Sequence, residues 1–414
     1  MTMPPPADPP ARPGSLPPTR PVPTTLCARC RETVPVAAFC GRCGADMSRP
    51  ANARFVGVRP RNYAAAPGER VLSPMVSSTL FPHLPRAYRN PFRIGMAVVL
   101  AGVVGLSLLR WTGPQVILAA LGVPALFVLY LWESDIVRDL PRQVLALVAA
   151  LGIAFGVGWV WFAGGLVARA YGVPVAAGFV LENLLGVGFQ VAVGGVVFMV
   201  APAVLVRFLL RHETRESLDG FVIGALGALS FTAAATTTRL APQFVSGLLE
   251  HVPPLRRLIE AVLYGLAAPL TAAALGGLMG ILLWFRPSRR AAERAGLIRA
   301  ALAGFTALVL VIYLAIWLID ASPLPRWPQL ALHLLMTIVA LVAARLCLQL
   351  ALLHEAPDRV PDLPVLCLNC EQVVPDMPFC PACGFATRAL SRSTRRQRRE
   401  HPPIRQNVTG VTDV

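Results

Sequence analysis

The chain has 414 residues, of which 55% are hydrophobic and only 14% are charged. Soluble globular domains have about a quarter of their residues charged, so this composition excludes an ordinary soluble protein and indicates a membrane protein. A net charge of +16 would suggest nucleic-acid binding in a soluble domain. In a membrane protein, arginines concentrated in the tails and in certain loops report orientation first.

The N-terminal part of the chain is polar and rich in proline. Residues 1–26 contain few apolar side chains, which predicts a disordered tail. After the first cysteine cluster, residues 47–92 are predicted to be a linker. The first strongly apolar run begins only after Arg93, and this position argues against an N-terminal secretory signal.

Apolar runs of membrane-spanning length fill the middle of the chain, residues 93–353. A helix needs about 20 residues to cross the hydrocarbon, and about eight transmembrane helices are therefore predicted. Their ranges are roughly 94–109, 115–132, 144–168, 184–206, 220–238, 259–285, 297–319 and 330–353. The sequence thus predicts an all-α polytopic membrane protein.

The arginines predict the orientation of this bundle. An even number of helices places both termini on one side. The loops on that side carry more arginines than the opposite loops, and both tails are basic. By the positive-inside rule, both termini are predicted to be cytosolic in a multi-pass protein of the cell membrane.

Eight of the nine cysteines form two clusters with the same spacing: two Cys-x-x-Cys pairs separated by nine residues. The clusters are Cys27, Cys30, Cys40 and Cys43 in the N-terminal knuckle (residues 27–46), and Cys367, Cys370, Cys380 and Cys383 in the C-terminal knuckle (residues 367–387). Two such pairs close a tetrahedral zinc site without an open position, so two structural Zn²⁺ ions are predicted. Two disulfides per knuckle are the alternative, which a reducing cytosol disfavours.

The knuckles resemble the short zinc ribbons at the ends of many bacterial membrane and regulatory proteins. Phe39 and Phe379 each precede a third cysteine, and each is predicted to form a small apolar core beside the zinc. Because both knuckles are predicted on one membrane face, a further hypothesis is that they stack on each other. The ninth cysteine, Cys347, lies in an apolar run and is predicted to be a packing residue.

Four segments in the bundle resemble the PrsW-type intramembrane metalloproteases, in the family's order. They are Leu131–Arg142, an acidic loop with a proline; Val200–Val204, containing Ala-Pro; Leu218–Gly224 followed by Phe231, an Asp-Gly loop and glycine-rich helix; and Ala267–Ala272, again with Ala-Pro. The resemblance implies a membrane core with the helix arrangement of that family.

At the positions that the resemblance makes catalytic, this chain has other residues. The family's paired glutamates fall at Leu205 and Val206 and a following lysine at Leu209; its Glu-Asn pair falls at Ala235 and Thr236, and its histidine at Ala268. These side chains cannot hold a metal or accept a proton from water. The resemblance therefore implies a catalytically silent relative.

The leading functional interpretation is a non-catalytic membrane scaffold. A pseudoprotease-like core in the lipid bilayer would display two cytosolic zinc ribbons to a membrane or cytosolic protein partner, and helices rich in glycine and alanine would permit self-association. One alternative is an active metalloprotease with a non-standard site, for which Glu182 and His333 are the plausible pair. Others are a transporter, which needs more polar spans, and nucleic-acid tethering, which lacks a base-reading element.

Two further expectations concern charged residues. Arg345, near the predicted cytosolic end of the last helix, is expected to snorkel toward the headgroups. Residues 354–366 are predicted to be a linker, and residues 388–414 a basic disordered tail lying against anionic lipid.

Overall fold

The computed structural model describes residues 23–48, 69, 72–84, 89–170, 181–209, 216–245, 253–288, 293–322, 324–355 and 363–401. Most of the predicted N-terminal tail, most of the 354–366 linker and the last thirteen residues of the C-terminal tail therefore lie outside the described residues. Within the described part, the strands are β1 (Thr24–Leu26), β2 (Thr33–Pro35), β3 (Pro364–Leu366) and β4 (Val373–Pro375). The helices are α1 (Val76–Leu80), α2 (Arg89–Leu108), α3 (Thr112–Glu133), α4 (Ile136–Asp139), α5 (Arg142–Ala170), α6 (Leu181–Leu209), α7 (Ser217–Val245), α8 (Pro254–Val262), α9 (Ala268–Trp284), α10 (Ala295–Ala321), α11 (Arg326–His354) and α12 (Arg392–Glu400).

Eight membrane-length apolar helices are present in the described residues, as predicted. They are α2, α3, α5, α6, α7, the continuous helix formed by α8 and α9 through a π-helical turn at Leu263–Ala267, α10 and α11. The first begins at Arg89 rather than near residue 94. The fold class, an all-α polytopic membrane protein with two small cysteine knuckles, is confirmed.

One end of the bundle gathers the starts of α5 and α7 and the ends of α9 and α11. The Ser217 backbone N–H donates to Oε1 of Glu355 at 2.7 Å, and the Ser288 N–H donates to the carbonyl of His354 at 2.9 Å. We call this end the knuckle face, because α12 and the C-terminal knuckle contact it. The other end is the far face.

The centre of the bundle is a close crossing of α7 and α9. Gly220 and Gly224 on α7 face Gly276 and Gly280 on α9. A Cβ added to Gly224 would stand 1.9 Å from the carbonyl oxygen of Gly276, and one added to Gly280 would stand 1.8 Å from that of Gly220. The four-residue spacing on both helices is the small-xxx-small pattern that lets helix backbones approach in membranes.

Substitution of Gly224 by Val is expected to separate α7 from α9. Because the new side chain meets backbone rather than a movable side chain, the cost should exceed the roughly 1–3 kcal/mol typical of overpacking. Gly304→Val is the matched control, since a Cβ there would have no neighbour within 4 Å. Unfolding of both variants in a denaturing-detergent titration measures the difference, and equal midpoints would contradict the crossing.

The segment before α2, predicted to be a linker, is in its described part packed against the bundle. Leu80, Phe81 and Leu84 are buried in the core. The ring of Phe81 lies 5.0 Å from that of Phe92 and 4.9 Å from that of Tyr130, measured between centroids. The apolar run Leu80–Leu84 is short and interrupted by proline and histidine, so it lacks the periodicity that would have marked it as core.

Arg345 is fully buried, and the expectation that it snorkels was wrong. Its guanidinium donates to Oε2 of Glu69 and to Oγ of Ser78, both at 2.6 Å. Glu69 also lies 3.7 Å from buried Arg89 and 3.6 Å from Arg93. Burial opposes ionisation of Glu69, but hydrogen bonds from Arg345 and Ser78 and the nearby arginine charges outweigh it and hold the pKa of this carboxyl below its ordinary value.

His83 is buried against the hydroxyl of Tyr130. Burial, aided by the charge of Arg395, lowers the pKa of His83 from 6.5 to about 3. The native state therefore keeps His83 neutral, while the unfolded state takes up a proton below its ordinary pKa of 6.5. The contribution to stability is complete above that pH and is lost as the pH falls from there toward 3.

Acidification from pH 7 to pH 5 is accordingly expected to cost about 2 kcal/mol through this residue. The measurement is the difference in unfolding free energy between the wild type and His83→Gln at both pH values, which cancels contributions from other groups. A difference that does not change with pH would contradict the buried neutral histidine.

Candidate metal centres and intramembrane cavity

Both knuckles have the same backbone. β1 pairs antiparallel with β2, β3 with β4, and the first Cys-x-x-Cys pair lies in the connection of each hairpin. The N–H of Cys27 donates to the carbonyl of Glu32, as that of Cys367 does to Gln372, both at 2.9 Å. The glycine after each fourth cysteine has a positive φ, +64° at Gly44 and +73° at Gly384. Glycine adopts this left-handed conformation without steric cost, so each turn closes at that residue.

The eight predicted cysteines form two quartets, each with all four sulfur atoms within 4.8 Å of one another. In the N-terminal knuckle Sγ of Cys27 lies 3.9 Å from that of Cys43, and Cys30 lies 3.8 Å from Cys40. In the C-terminal knuckle the equivalent two distances are both 3.8 Å.

These distances fit a tetrahedral metal ion and not disulfides. A disulfide has its sulfurs about 2.05 Å apart. A tetrahedron with metal–sulfur bonds of about 2.3 Å, the length of zinc–thiolate bonds, has edges of about 3.8 Å. Both quartets can therefore bind a metal ion, and each uses all four positions for sulfur.

The two knuckles pack on each other through equivalent residues. The N–H of Phe39 donates to the carbonyl of Pro381 at 2.9 Å, and that of Phe379 donates to the carbonyl of Gly41 at 2.8 Å. The ring of each phenylalanine lies against the left-handed glycine of the other knuckle, Phe39 on Gly384 and Phe379 on Gly44. The stacking hypothesis thus agrees with the structure, and both phenylalanines contribute to the contact between the knuckles. We call this unit the knuckle pair.

Helix α12 holds the knuckle pair on the bundle. Its first turn binds the carboxylate of Asp139, with the N–H of Ser393 donating to Oδ1 at 2.7 Å and the N–H of Arg392 donating to Oδ2. Anion binding at a helix N-terminus is favoured by its unpaired N–H groups and its dipole. The guanidinium of Arg392 lies 3.1 Å from Asp219, and Arg395 pairs with Glu216.

The same helix also binds the C-terminal knuckle. Arg398 donates to the carbonyl of Leu366 at 2.6 Å, and Arg399 donates to Oδ2 of Asp376 at 2.8 Å. Residues 388–401, predicted to belong to a disordered tail, are therefore ordered, because acidic groups on the bundle and on the knuckle neutralise their arginines. The available sequence signals were the Ser391 side chain, which caps α12, and arginines spaced three and four residues apart, as on one face of a helix.

A cavity of about 730 Å³ opens in the half of the bundle nearer the far face. It lies between α5, α6, α7, α8, α9, α10 and α11, beside the π-helical turn. Its lining includes Ala235, Thr236 and Ala268, three positions that the family resemblance makes catalytic. Leu205 and Val206 are not among the lining residues, and Val206 is buried in the core.

His333 lines this cavity and is 3% exposed. Its Nε2 lies 2.9 Å from Oδ1 of Asp320, so its carboxylate neighbour is Asp320. The side chain of Glu182, the partner expected for an active enzyme, lies outside the described residues. Across the described ranges, three or more ligand side chains come close enough to share one ion only in the two knuckles.

These features define a class: a multi-pass helical membrane protein with a pair of four-cysteine knuckles, each able to bind a metal ion, docked on one face. No protein-family model, curated protein or solved structure matches the chain. The resemblance to PrsW-type proteases therefore remains a prediction from four short motifs.

Proposed function

We propose that the protein is a non-catalytic membrane scaffold whose zinc-stabilised knuckle pair binds a protein partner in the cytosol. The observation that carries this proposal is the knuckle pair itself, which is docked on the bundle by the ion pairs of α12 with Glu216 and Asp219. A connection of ion pairs and hydrogen bonds between a membrane core and a small surface module suits presentation of that module.

Zinc is the ion that we assign to both quartets. Four thiolates in a tetrahedral arrangement are typical of structural zinc, and a site closed by four protein ligands leaves no position for water or substrate. The cytosolic orientation rests on the positive-inside rule, and a reducing cytosol also keeps the cysteines available as ligands.

The surface that would contact a partner is apolar. Leu26 and Leu366, at equivalent positions of the two hairpins, are 64% and 40% exposed, and Val36 and Val373 are 58% and 55% exposed. Large apolar side chains exposed on a small module can take part in binding, so these four side chains are the proposed contact with a partner. Self-association through this surface is included in the proposal, since a second copy presents the same residues.

Absence of catalysis is proposed from the residue types in the cavity. Ala235 and Ala268 offer no metal ligand and no proton acceptor, and Thr236 offers only a hydroxyl. An active metalloprotease built on His333 and Asp320 would need further ligands, and a chelator would abolish its activity.

The proposal is tested by purifying the full chain from its native membranes in mild detergent. A Leu26→Ser/Leu366→Ser variant should lose the protein that co-purifies with the wild type while retaining two zinc ions per chain. Leu72→Ser is the matched control, because Leu72 is 64% exposed outside the knuckles. An identical set of co-purifying proteins in all three samples, or chelator-sensitive peptide cleavage by the wild type, would overturn it.

A further inference from the structure

The cavity near the far face combines an apolar interior with a charged rim. The interior is formed by large side chains and by small residues, among them Trp159, Val191, Phe231, Ala235 and Trp317. The rim carries Arg239, Arg256 and Arg326 together with Glu260, Asp320 and His333. A volume of about 730 Å³ is within the roughly 300–1,000 Å³ of small-molecule sites.

The carboxylates of the rim already have partners. Nε of Arg256 lies 3.0 Å from Oε1 of Glu260, and Arg326 lies 3.9 Å from the same oxygen. Asp320 accepts a hydrogen bond from Gln329 at 2.7 Å and has His333 beside it. Two carboxylates thus meet three guanidinium groups, which leaves the rim with an excess of positive charge.

Arg239 supplies that excess charge. Its guanidinium lies 5.7 Å from the centroid of the Tyr264 ring, and within the described part of the chain no carboxylate is found in ion-pair contact with it. Arg239 is exposed, so its guanidinium is available to a ligand.

The position of the cavity along the helices indicates which kind of ligand it can bind. Arg239 is near the end of α7, Arg256 near the start of α8 and Arg326 at the start of α11, so the charged rim lies near the far-face ends of membrane-length helices, where lipid headgroups are expected. The apolar interior lies deeper, where acyl chains are. The space beside Gly164, in the wall formed by α5, is open, because nothing lies within 4 Å of the place where a Cβ would stand.

We propose that this cavity binds an anionic amphiphile, with its phosphate or carboxylate head on Arg239, Arg256 and Arg326 and an acyl chain between Trp159, Phe231 and Trp317. Arginine binds both head groups through paired N–H donors, which explains a rim of arginines at this position. The small side chains of Ala235 and Ala268 leave the room that the acyl chain occupies.

Native mass spectrometry of the full chain in detergent, with added lipids, tests the proposal. The three probes are dioleoyl phosphatidylglycerol, dioleoyl phosphatidylethanolamine as the zwitterionic comparison, and oleate. The anionic phospholipid should bind roughly tenfold more tightly than the zwitterionic one, because the ammonium group of the zwitterionic lipid offsets its phosphate charge beside the arginines. Stronger binding of oleate than of phosphatidylglycerol would identify a free carboxylate as the head and equally support the proposal.

Two variants locate the binding. Arg239→Gln should lose the preference for anionic lipid, whereas Arg110→Gln, an exposed arginine in a far-face loop outside the cavity, should keep it. Ala235→Phe should weaken binding of every acyl ligand by filling the interior, and Ala101→Phe on the exposed side of α2 should not.

Thermal melts of the wild type alone provide a second measurement that needs no variant. Anionic lipid should raise the melting temperature more than the zwitterionic lipid at the same concentration. Equal binding and equal stabilisation by the two phospholipids, or equal losses in Arg239→Gln and Arg110→Gln, would overturn the proposal.

Discussion

Removal of the metal is expected to unfold both knuckles and to release α12, while the eight-helix bundle stays folded. The apolar core of the N-terminal knuckle consists of little more than Cys27, Val34, Cys40 and Ala45, which is too small to be stable without a metal. In sites of this kind metal binding and folding are one equilibrium, with roughly 10–16 kcal/mol of binding free energy. Hydrogen exchange should therefore lose protection in both knuckles and in α12 and keep it in α7 and α9.

Loss of one metal site should also weaken the other. The backbone bonds of Phe39 to Pro381 and of Phe379 to Gly41 connect the two knuckles, so Cys380→Ser is expected to lose its own ion and to lower the affinity of the N-terminal quartet. Cys347→Ala is the control, because this cysteine is buried in α11 away from the quartets. Full retention of one ion with unchanged affinity in Cys380→Ser would show that the knuckles bind independently.

The second large effect is expected from Glu69→Gln. The change leaves Arg345 and Arg89, which are 0% and 1% exposed, without the carboxylate between them. Removing one partner of a buried ion pair costs about 3–5 kcal/mol, because the remaining charge is desolvated and uncompensated. The free energy of unfolding in detergent measures the loss, and Glu133→Gln, on an exposed position at the end of α3, is the matched control.

A double variant separates charge from packing. Combining Glu69→Gln with Arg345→Met removes one of the two buried guanidinium charges together with the carboxylate, while the buried charge of Arg89 remains. Apolar replacement of a buried ion pair is often close to neutral, so part of the lost stability should return. A double variant that is less stable than Glu69→Gln would mean that the Arg345 contacts with Ser78, rather than its pairing with Glu69, determine the stability of this region.

The helices and the cysteine quartets were predictable because each is specified by local sequence. A run of about 20 apolar residues can satisfy its backbone in lipid only as a helix, and the spacing of Cys27 and Cys30 already brings two thiolates to one ion. The predicted spans and quartets agree with the structure for this reason. The predicted helix ends differ from the structure where polar residues continue a helix beyond the hydrocarbon, as at the start of α2 at Arg89.

The long-range pairs could not be predicted. Glu69 and Arg345 are separated by 276 residues, and nothing in the sequence near Arg345 indicates a partner. Likewise, the sequence of α12 is typical of a solvated basic segment. Only the structure shows that Glu216, Asp219 and Asp139 lie beside it. The Asp219-Gly220 pair was interpreted as a family motif. In this structure Asp219 forms an ion pair with Arg392, and Gly220 allows α9 to approach α7.

The two knuckles of the knuckle pair are synthesised at different times. The ribosome produces the half with Phe39 first and the half with Phe379 only after every membrane helix, so the first half waits, with its contact surface uncovered, until insertion has finished. When the second half is made, the two knuckles join and α12 binds acidic groups contributed by two separate parts of the bundle, α4 and the start of α7. Formation of the knuckle pair on the bundle therefore requires that both knuckles, Asp139 and Glu216 end on the same membrane face.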